Sequence, residues 1–354
     1  MKVLLLAPSR SIHTHKWAMF YKSKGIDVRV ASFENHFSEE NSKDVMTYKL
    51  SKKLPGKLSY LTSVGELKTI LKGFKPDILH AHYASSYGLV GALTRFTPYV
   101  ISVWGSDIFE FPRKNVINKL LLKFSLSKAN FVCSTSVFMA NETKNYTIKQ
   151  IEITPFGVNT NIFKVLSLPK SNDVTVFGVV KSLSDRYGFS DLFKAFSILS
   201  IEYENIELVV VGDGECREKY ENQIQNLGIQ DKVRMIGRVQ NEDVPKYLNE
   251  MDIFVLPSIE DSFGVAAVEA MACGTPVIVS DAGGLQEVVI EGETGYIVPM
   301  KNPEKLALAM EKLLLDKDLQ LKFSTNGVQH VIENYDWKEN ANRMLGFYKK
   351  HFNI

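Results

Sequence analysis

A two-domain α/β architecture with parallel sheets is predicted by the length of the chain, its rhythm and one break in that rhythm. Its 354 residues are too many for one typical domain and suit two. Apolar strand-like runs alternate with helical patterns throughout. That alternation gives parallel sheets covered on both faces, with sites at the carboxyl ends of the strands. Around residues 157–173 a polar, Pro-containing linker precedes a fresh strand. A hydrophobic content of 45% and a charged content of 23% let each half bury its own core.

In the first half, strands are predicted at 3–7, 28–32, 78–80, 99–103, 131–133 and 151–154, with helices at 17–24, 64–74 and 116–127. The second half restarts the pattern. Strands fall at 175–179, 207–211, 233–236, 253–256 and 276–279, and helices at 189–199, 217–227, 265–272 and 303–315. A last helix follows Trp337. The domains are expected at 1–166 and 167–336, with a ligand cleft between them.

The three cysteines, Cys133, Cys216 and Cys273, lack metal-type spacing and read as reduced thiols of a cytosolic protein. The apolar start stops at Pro8. It is too short for a signal peptide or membrane span and suits a buried first strand. Charge is lopsided. Residues 1–166 hold 23 Lys+Arg and 11 Asp+Glu (+12), and residues 167–354 hold 19 and 29 (−10), which sum to the net +2. By charge alone, the first half suits a membrane leaflet, a phosphorylated acceptor or nucleic acid, or simply solvates its helix faces.

The densest signal runs from Pro257 to Pro276. Pro257 and Ser258 break a strand, and Asp261 and Ser262 are good helix N-caps. Open amides near Gly264 and the positive helix end form a natural phosphate seat. Glu269, on an otherwise apolar helix, needs a partner such as a ribose or sugar hydroxyl pair. A plain packing turn has the same small residues, so the surrounding strand ends matter. Lys181 and Arg186 follow the strand at 175–179, as cations to neutralise a diphosphate or as solvated loop residues. Gly212-Asp213-Gly214 is no dinucleotide fingerprint, because position 217 is Arg. Gly237 and Arg238 close another strand beside a base pocket, and Gly284 and Glu287 open one more strand-to-helix turn.

These residues resemble the donor half of the retaining GT-B glycosyltransferases of family 4. The E-x7-E segment of that group is matched by Asp261 to Glu269, followed by Ala-Met-Ala-Cys-Gly-Thr-Pro. Its basic pair is matched by Lys181 and Arg186. Pro155 to Asn159 with Phe163 resembles the interdomain segment of the family, and Tyr335-Asp336-Trp337 its terminal crossover. The resemblance implies two Rossmann-like domains with a central cleft. It also implies a C-terminal helix, 337–354, crossing back to the N-terminal domain. Lys181 and Arg186 would hold the donor diphosphate. Amides at Ser262, Phe263, Gly264 and Val265 would serve phosphate or sugar. Asp261 would meet the transferred sugar, Glu269 the ribose, and Gly284 and Glu287 the base, ribose or sugar. Asp261 is one methylene shorter than the commoner Glu. Glu260 stands beside it, but the seven-residue gap favours Asp261.

In the first domain, where many relatives carry a Gly-Gly loop, Ser11, His13 and Lys16 are candidates for phosphate or acceptor binding. Trp104 stands where many relatives place a sugar-contacting His, and is placed with the acceptor residues. Asp107 and His82, with His80, are strand-end candidates for the catalytic group; a structural hydrogen-bonding role is the alternative for a His there. The basic, amphipathic stretch 113–124 suits an anionic leaflet or an ordinary surface helix.

The reading is a metal-independent retaining hexosyltransferase. It takes a UDP- or GDP-sugar as co-substrate and a glycan or lipid-linked acceptor, with no cofactor and no nucleic-acid partner. It would work in cell-surface polysaccharide or glycoconjugate synthesis in the cytoplasm or on the inner membrane face. The reading assigns no metal site. A GT-B-shaped UDP-sugar epimerase and a non-catalytic sugar-nucleotide-binding protein remain the alternatives.

Overall fold

A computed structural model describes residues 1–51, 59–167 and 173–352. Leu168 to Asn172 of the expected linker lie outside the described residues. The chain forms two compact units, Met1–Thr154 with Ala341–Ile354, and Pro155–Asn340.

In the first unit the strands are β1 Lys2–Leu6, β2 Asp27–Phe33, β3 Thr47–Leu50, β4 Ile78–His82, β5 Tyr99–Val103, β6 Phe131–Ser134 and β7 Ile151–Ile153. They form one parallel sheet in the order β3-β2-β1-β4-β5-β6-β7. β4 and β5 are buried along their whole length, as expected for strands covered on both faces. Leu4, Leu6, Ile101 and Val103 share a core with Leu122 and Leu126 of the helix Val116–Lys128.

In the second unit β8 Thr175–Val180, β9 Ile206–Val211, β10 Val233–Gly237, β11 Ile253–Leu256, β12 Val277–Ser280 and β13 Gly295–Val298 make a parallel sheet ordered β10-β9-β8-β11-β12-β13. Both sheets reverse direction of growth once, between β1 and β4 and between β8 and β11. Crossovers leave opposite ways at such a point, so the loops after those strands diverge and leave room for a ligand.

The predicted strands and helices all appear. β3 and β13 were not foreseen. Each is a four-residue edge strand with half-buried positions, too short to stand out as a strand. The helix Ser86–Thr94, which contains Gly88 and Gly91, was also missed. Gly91 is there for space, since a Cβ on it would lie 2.4 Å from the Tyr99 hydroxyl.

Residues 155–166 lie in the second unit. The Leu166 amide donates to Asn249 Oδ1 at 2.7 Å, and Asn249 Nδ2 donates to the Lys164 carbonyl at 3.0 Å. The Val158 amide donates to the Tyr335 carbonyl at 2.8 Å, and the Trp337 amide to the Val158 carbonyl at 2.9 Å. Asp336 caps the helix Trp337–Phe352, accepting from the Lys338 and Glu339 amides at 2.9 and 3.1 Å. That helix ends in the first unit, where Phe347 packs edge-on against Phe131 at 5.2 Å.

Gly188 begins the helix Phe189–Glu202 at φ +69°, and a Cβ on it would lie 1.9 Å from the Pro257 carbonyl oxygen. The loops after β8 and β11 therefore touch main chain to main chain. We expect Gly188→Ala to cost ~2 kcal/mol or more in urea unfolding, through strain and overpacking. Gly65→Ala, exposed within the helix Ser59–Phe74 with open space around its Cβ, should instead gain about 1 kcal/mol.

Candidate functional site

Lys181 is the first residue after β8, and Asp261 lies within the loop after β11, so the two flank the reversal of the second sheet. Lys181 Nζ lies 2.8 Å from Asp261 Oδ2, with the side chains 17% and 8% exposed. Burial alone pulls the Lys181 ammonium down. Asp261 more than reverses this, with Tyr187 and Glu269 adding to it, and the net shift is upward. Lys181 is thus a fixed positive charge that also lies over the Tyr187 ring at 4.5 Å.

The other oxygen of Asp261 accepts from the Phe263 and Gly264 amides at 3.3 and 2.8 Å. Those amides open the helix Val265–Ala272, so a carboxylate already occupies its positive end. The Asp261 carbonyl accepts from the Gly284 amide at 3.0 Å, which joins the turn after β12 to the same loop. Glu260 faces a different task, its amide donating to the Arg186 carbonyl at 3.1 Å. The structure therefore selects Asp261 over Glu260 as the carboxylate on Lys181.

Around this pair, Ser262 and Val265 are half-buried, and Phe263 is buried against Phe156 and Tyr335. Glu269 is half-buried one turn into the helix and acts electrostatically on Lys181. The Arg186 side chain is exposed, while its carbonyl ties down Ile259 and Glu260. Glu287 is half-buried in the short helix Leu285–Val288, and its carbonyl accepts from the Tyr335 hydroxyl at 2.9 Å. Gly237 and Arg238 stand at the end of β10, two strands from β8; the Gly212 amide donates to the Gly237 carbonyl at 2.9 Å. Sequence reasoning gave Tyr187 no role and placed Tyr335 only in the terminal crossover. Tyr187 directly follows Arg186, and that aromatic beside a basic pair was its available signal.

The first unit gathers a different set at its own reversal. His82 ends β4, and its ring lies 4.4 Å from that of Trp104, which follows β5. His13, in the first turn of the helix Ile12–Ser23, meets Trp104 edge-on at 5.9 Å. Ser11 is the N-cap of that helix without a side-chain capping bond, and Lys16 is half-buried one turn on. His82 is buried and its Nδ1 has no hydrogen-bond partner. His80 is held from both sides, by Ser102 Oγ at 2.7 Å and by the Tyr348 hydroxyl.

Asp107 is buried, which pushes its carboxyl up, and backbone amides pull it back. It accepts from Ala84 at 2.7 Å, Gly105 at 2.9 Å and Trp104 at 3.1 Å. Its geometry orients the loops after β4 and β5.

Two units of this kind, each with charged or polar side chains at the reversal of a parallel sheet, define a pair of Rossmann-like domains. The sequence pattern described as "Glycosyl transferases group 1" matches residues 161–330, and "Glycosyl transferase 4-like" matches residues 2–136. The chain belongs to the group 1 glycosyltransferases, with the GT-B fold. It is 24% identical over 334 residues to an uncharacterized glycosyltransferase of Methanocaldococcus jannaschii, covering 93% of this chain and 91% of that one. It is likewise 24% identical over 345 residues to the capsular polysaccharide biosynthesis glycosyltransferase CapM of Staphylococcus aureus, covering 90% of each. The solved structure of Anabaena HepE in complex with UDP superposes with a TM-score of 0.83 at 18% identity, covering 99% of this chain and 100% of that one.

Burial lowers the imidazole pKa values of His80 to about 3 and His13 to about 4, the latter helped by Lys16. His82 is lowered well below the usual value by burial, then by His80 and His13. An unfolded His titrates near ~6.5. Below that pH the unfolded chain binds more protons, so stability is full above ~6.5 and falls as pH drops toward the folded values. We expect urea stability to decline from pH 6.5 to 4, each buried histidine adding up to ~1.4 kcal/mol per pH unit. His80→Asn should flatten that slope by one proton in midpoint-versus-pH measurements.

Proposed function

We infer that the chain is a retaining, metal-independent hexosyltransferase. It moves a sugar from a UDP- or GDP-sugar to a glycan or lipid-linked acceptor in cell-surface polysaccharide or glycoconjugate synthesis. The observation that carries this reading is the Lys181–Asp261 pair at the amino end of the helix Val265–Ala272. An ammonium from the loop after β8, and a carboxylate and helix amides from the loop after β11, supply both charges that an activated sugar needs.

In this mechanism Lys181 and Arg186 neutralise the diphosphate, whose negative charge grows as the glycosidic bond breaks. Asp261 keeps one oxygen on the helix amides and offers the other to the hydroxyls of the sugar. Glu269 takes the ribose, and the turns at Gly237–Arg238 and Gly284–Glu287 take the base. Retention follows from attack by the acceptor hydroxyl on the anomeric carbon from the face the diphosphate leaves. The departing phosphate oxygen takes the hydroxyl proton. The first unit receives the acceptor through Ser11, His13, Lys16 and Trp104. His82, neutral at pH 7, offers a nitrogen to a substrate hydroxyl, and Asp107 holds the loops on which Trp104 and Ala84 sit. CapM supports the acceptor class by its name and HepE the donor by its bound UDP.

The reading places the enzyme at the cytoplasmic face of a membrane, with the basic first half toward anionic lipid. Among the described residues no helix is long and apolar enough to cross a membrane.

The test is a thermal-shift panel of UDP, GDP, ADP and their sugars, followed by donor hydrolysis without acceptor. One nucleoside diphosphate should raise the stability by about 2.7 kcal/mol at a hundredfold its Kd. Arg186→Ala, at an exposed side chain, should weaken that nucleotide about tenfold and leave the ligand-free Tm unchanged. Lys181→Ala should abolish hydrolysis, and the sugar released by the native protein should keep its anomeric configuration by NMR. Turnover to an epimer, or no binding across the panel, would sink the reading.

A further inference from the structure

The helix Val116–Lys128 buries leucines in its second half but exposes apolar residues at its beginning. Its buried residues are Asn118, Leu122, Ser125 and Leu126, two of them polar. Its exposed residues include Val116 at 71%, Ile117 at 63% and Leu120 at 61%. At about 100° per residue these three fall within roughly a quarter to a third of the circumference, away from the buried side.

This orientation is fixed. Asn115 Oδ1 accepts from the Asn118 amide at 2.9 Å, and Asn118 Nδ2 donates to the Phe111 carbonyl at 2.9 Å. Leu122 and Leu126 are locked in the core of the sheet. The apolar trio cannot rotate inward without breaking those contacts. Single exposed apolar residues are ordinary, but a contiguous group on one face marks an interaction surface.

Basic residues border the trio. Lys114, Lys119 and Lys123 are exposed, and residues 114–128 contain no Asp or Glu. Arg113, 59% exposed, pairs with Glu142 at 3.3 Å, which brings in the helix Val137–Thr143. That helix exposes Val137 at 51% and Phe138 at 42%, with Phe138 stacked on Phe109. Apolar side chains ringed by lysine complement a leaflet whose headgroups are anionic and whose interior is hydrocarbon. A soluble acidic partner would match the lysines and leave the trio wet.

We propose that this face, centred on Val116, Ile117 and Leu120 and bordered by Lys114, Lys119 and Lys123, docks the first unit onto an anionic phospholipid leaflet. The inference localises the membrane-facing part of the functional reading and rests on it. None of the six residues belongs to the donor or acceptor sets.

The full chain is sedimented with vesicles of phosphatidylcholine alone and of phosphatidylcholine mixed with phosphatidylglycerol. We expect binding only to the mixed vesicles, weakened by salt. Val116→Ser/Ile117→Ser/Leu120→Ser should weaken it about tenfold, and Lys114→Gln/Lys119→Gln/Lys123→Gln should do so by a similar factor. Both variants should keep native Tm and native donor hydrolysis in solution. Equal binding of all three proteins, or none by the native chain, overturns the proposal while donor hydrolysis leaves the transferase reading standing. A dimer of the native chain that the serine variant dissociates would also overturn it, assigning the face to a second copy.

Discussion

The ion pair between Lys181 and Asp261 closes the one gap that a parallel sheet of this order must leave. Crossovers after β8 and β11 run to opposite sides, so no main-chain ladder joins the loops beyond them. The Arg186 carbonyl bridges that opening by accepting from the Ile259 and Glu260 amides, and two further devices reinforce it. Gly188 lets the chain pass against the Pro257 carbonyl, and Lys181 reaches the carboxylate on the far loop. That carboxylate in turn holds the first amides of the helix Val265–Ala272, and its carbonyl holds Gly284. The turns after β8, β11 and β12 are therefore coupled through one aspartate. An ammonium this buried is tolerated because its partner is also buried and has amides for its second oxygen.

The first unit solves its own reversal with neutral groups. His80 links β4 to β5 through Ser102 and to the final helix through Tyr348, whose hydroxyl also meets that of Tyr21 at 3.2 Å. An uncharged imidazole can donate on one side and accept on the other, and burial keeps it uncharged. Next to it His82 carries the same neutral ring with one nitrogen unused by the protein. The second unit thus presents fixed charge at its strand ends, and the first presents the neutral rings of His82 and His13 beside Trp104.

How much of this was legible in the sequence follows from how local each signal is. Central strands such as Tyr99–Val103 and Ile253–Leu256 are continuous apolar runs and could be read directly. Edge strands β3 and β13 have one wet side and looked like loop. Lys181 and Asp261 were each visible as strand-end residues. Their meeting across 80 positions depends on β8 lying next to β11, which composition does not encode. The resemblance to a family supplied that adjacency. The link from His80 to Tyr348 spans 268 positions and had no local signal at all. The helix at Val116 is instructive in a different way. Its period was plain, but which side faces the core depends on Asn118 finding the Phe111 carbonyl, a tertiary fact.

The length of the side chain at Asp261 bears on how the seat works. An aspartate reaches the amides two and three residues ahead of it, the usual span of a capping side chain, and still presents its second oxygen to Lys181. A glutamate, one methylene longer, would carry its carboxylate farther from those same amides. It would either release the cap or fold back at an entropic cost. With aspartate, the group that would meet the sugar is the same group that sets the start of the helix and the pose of the lysine. Any ligand that draws on Asp261 must therefore act on the helix end and on Lys181 together. The start of the helix and the pose of Lys181 are joined through one carboxylate, and the short aspartate side chain is what keeps that joint short.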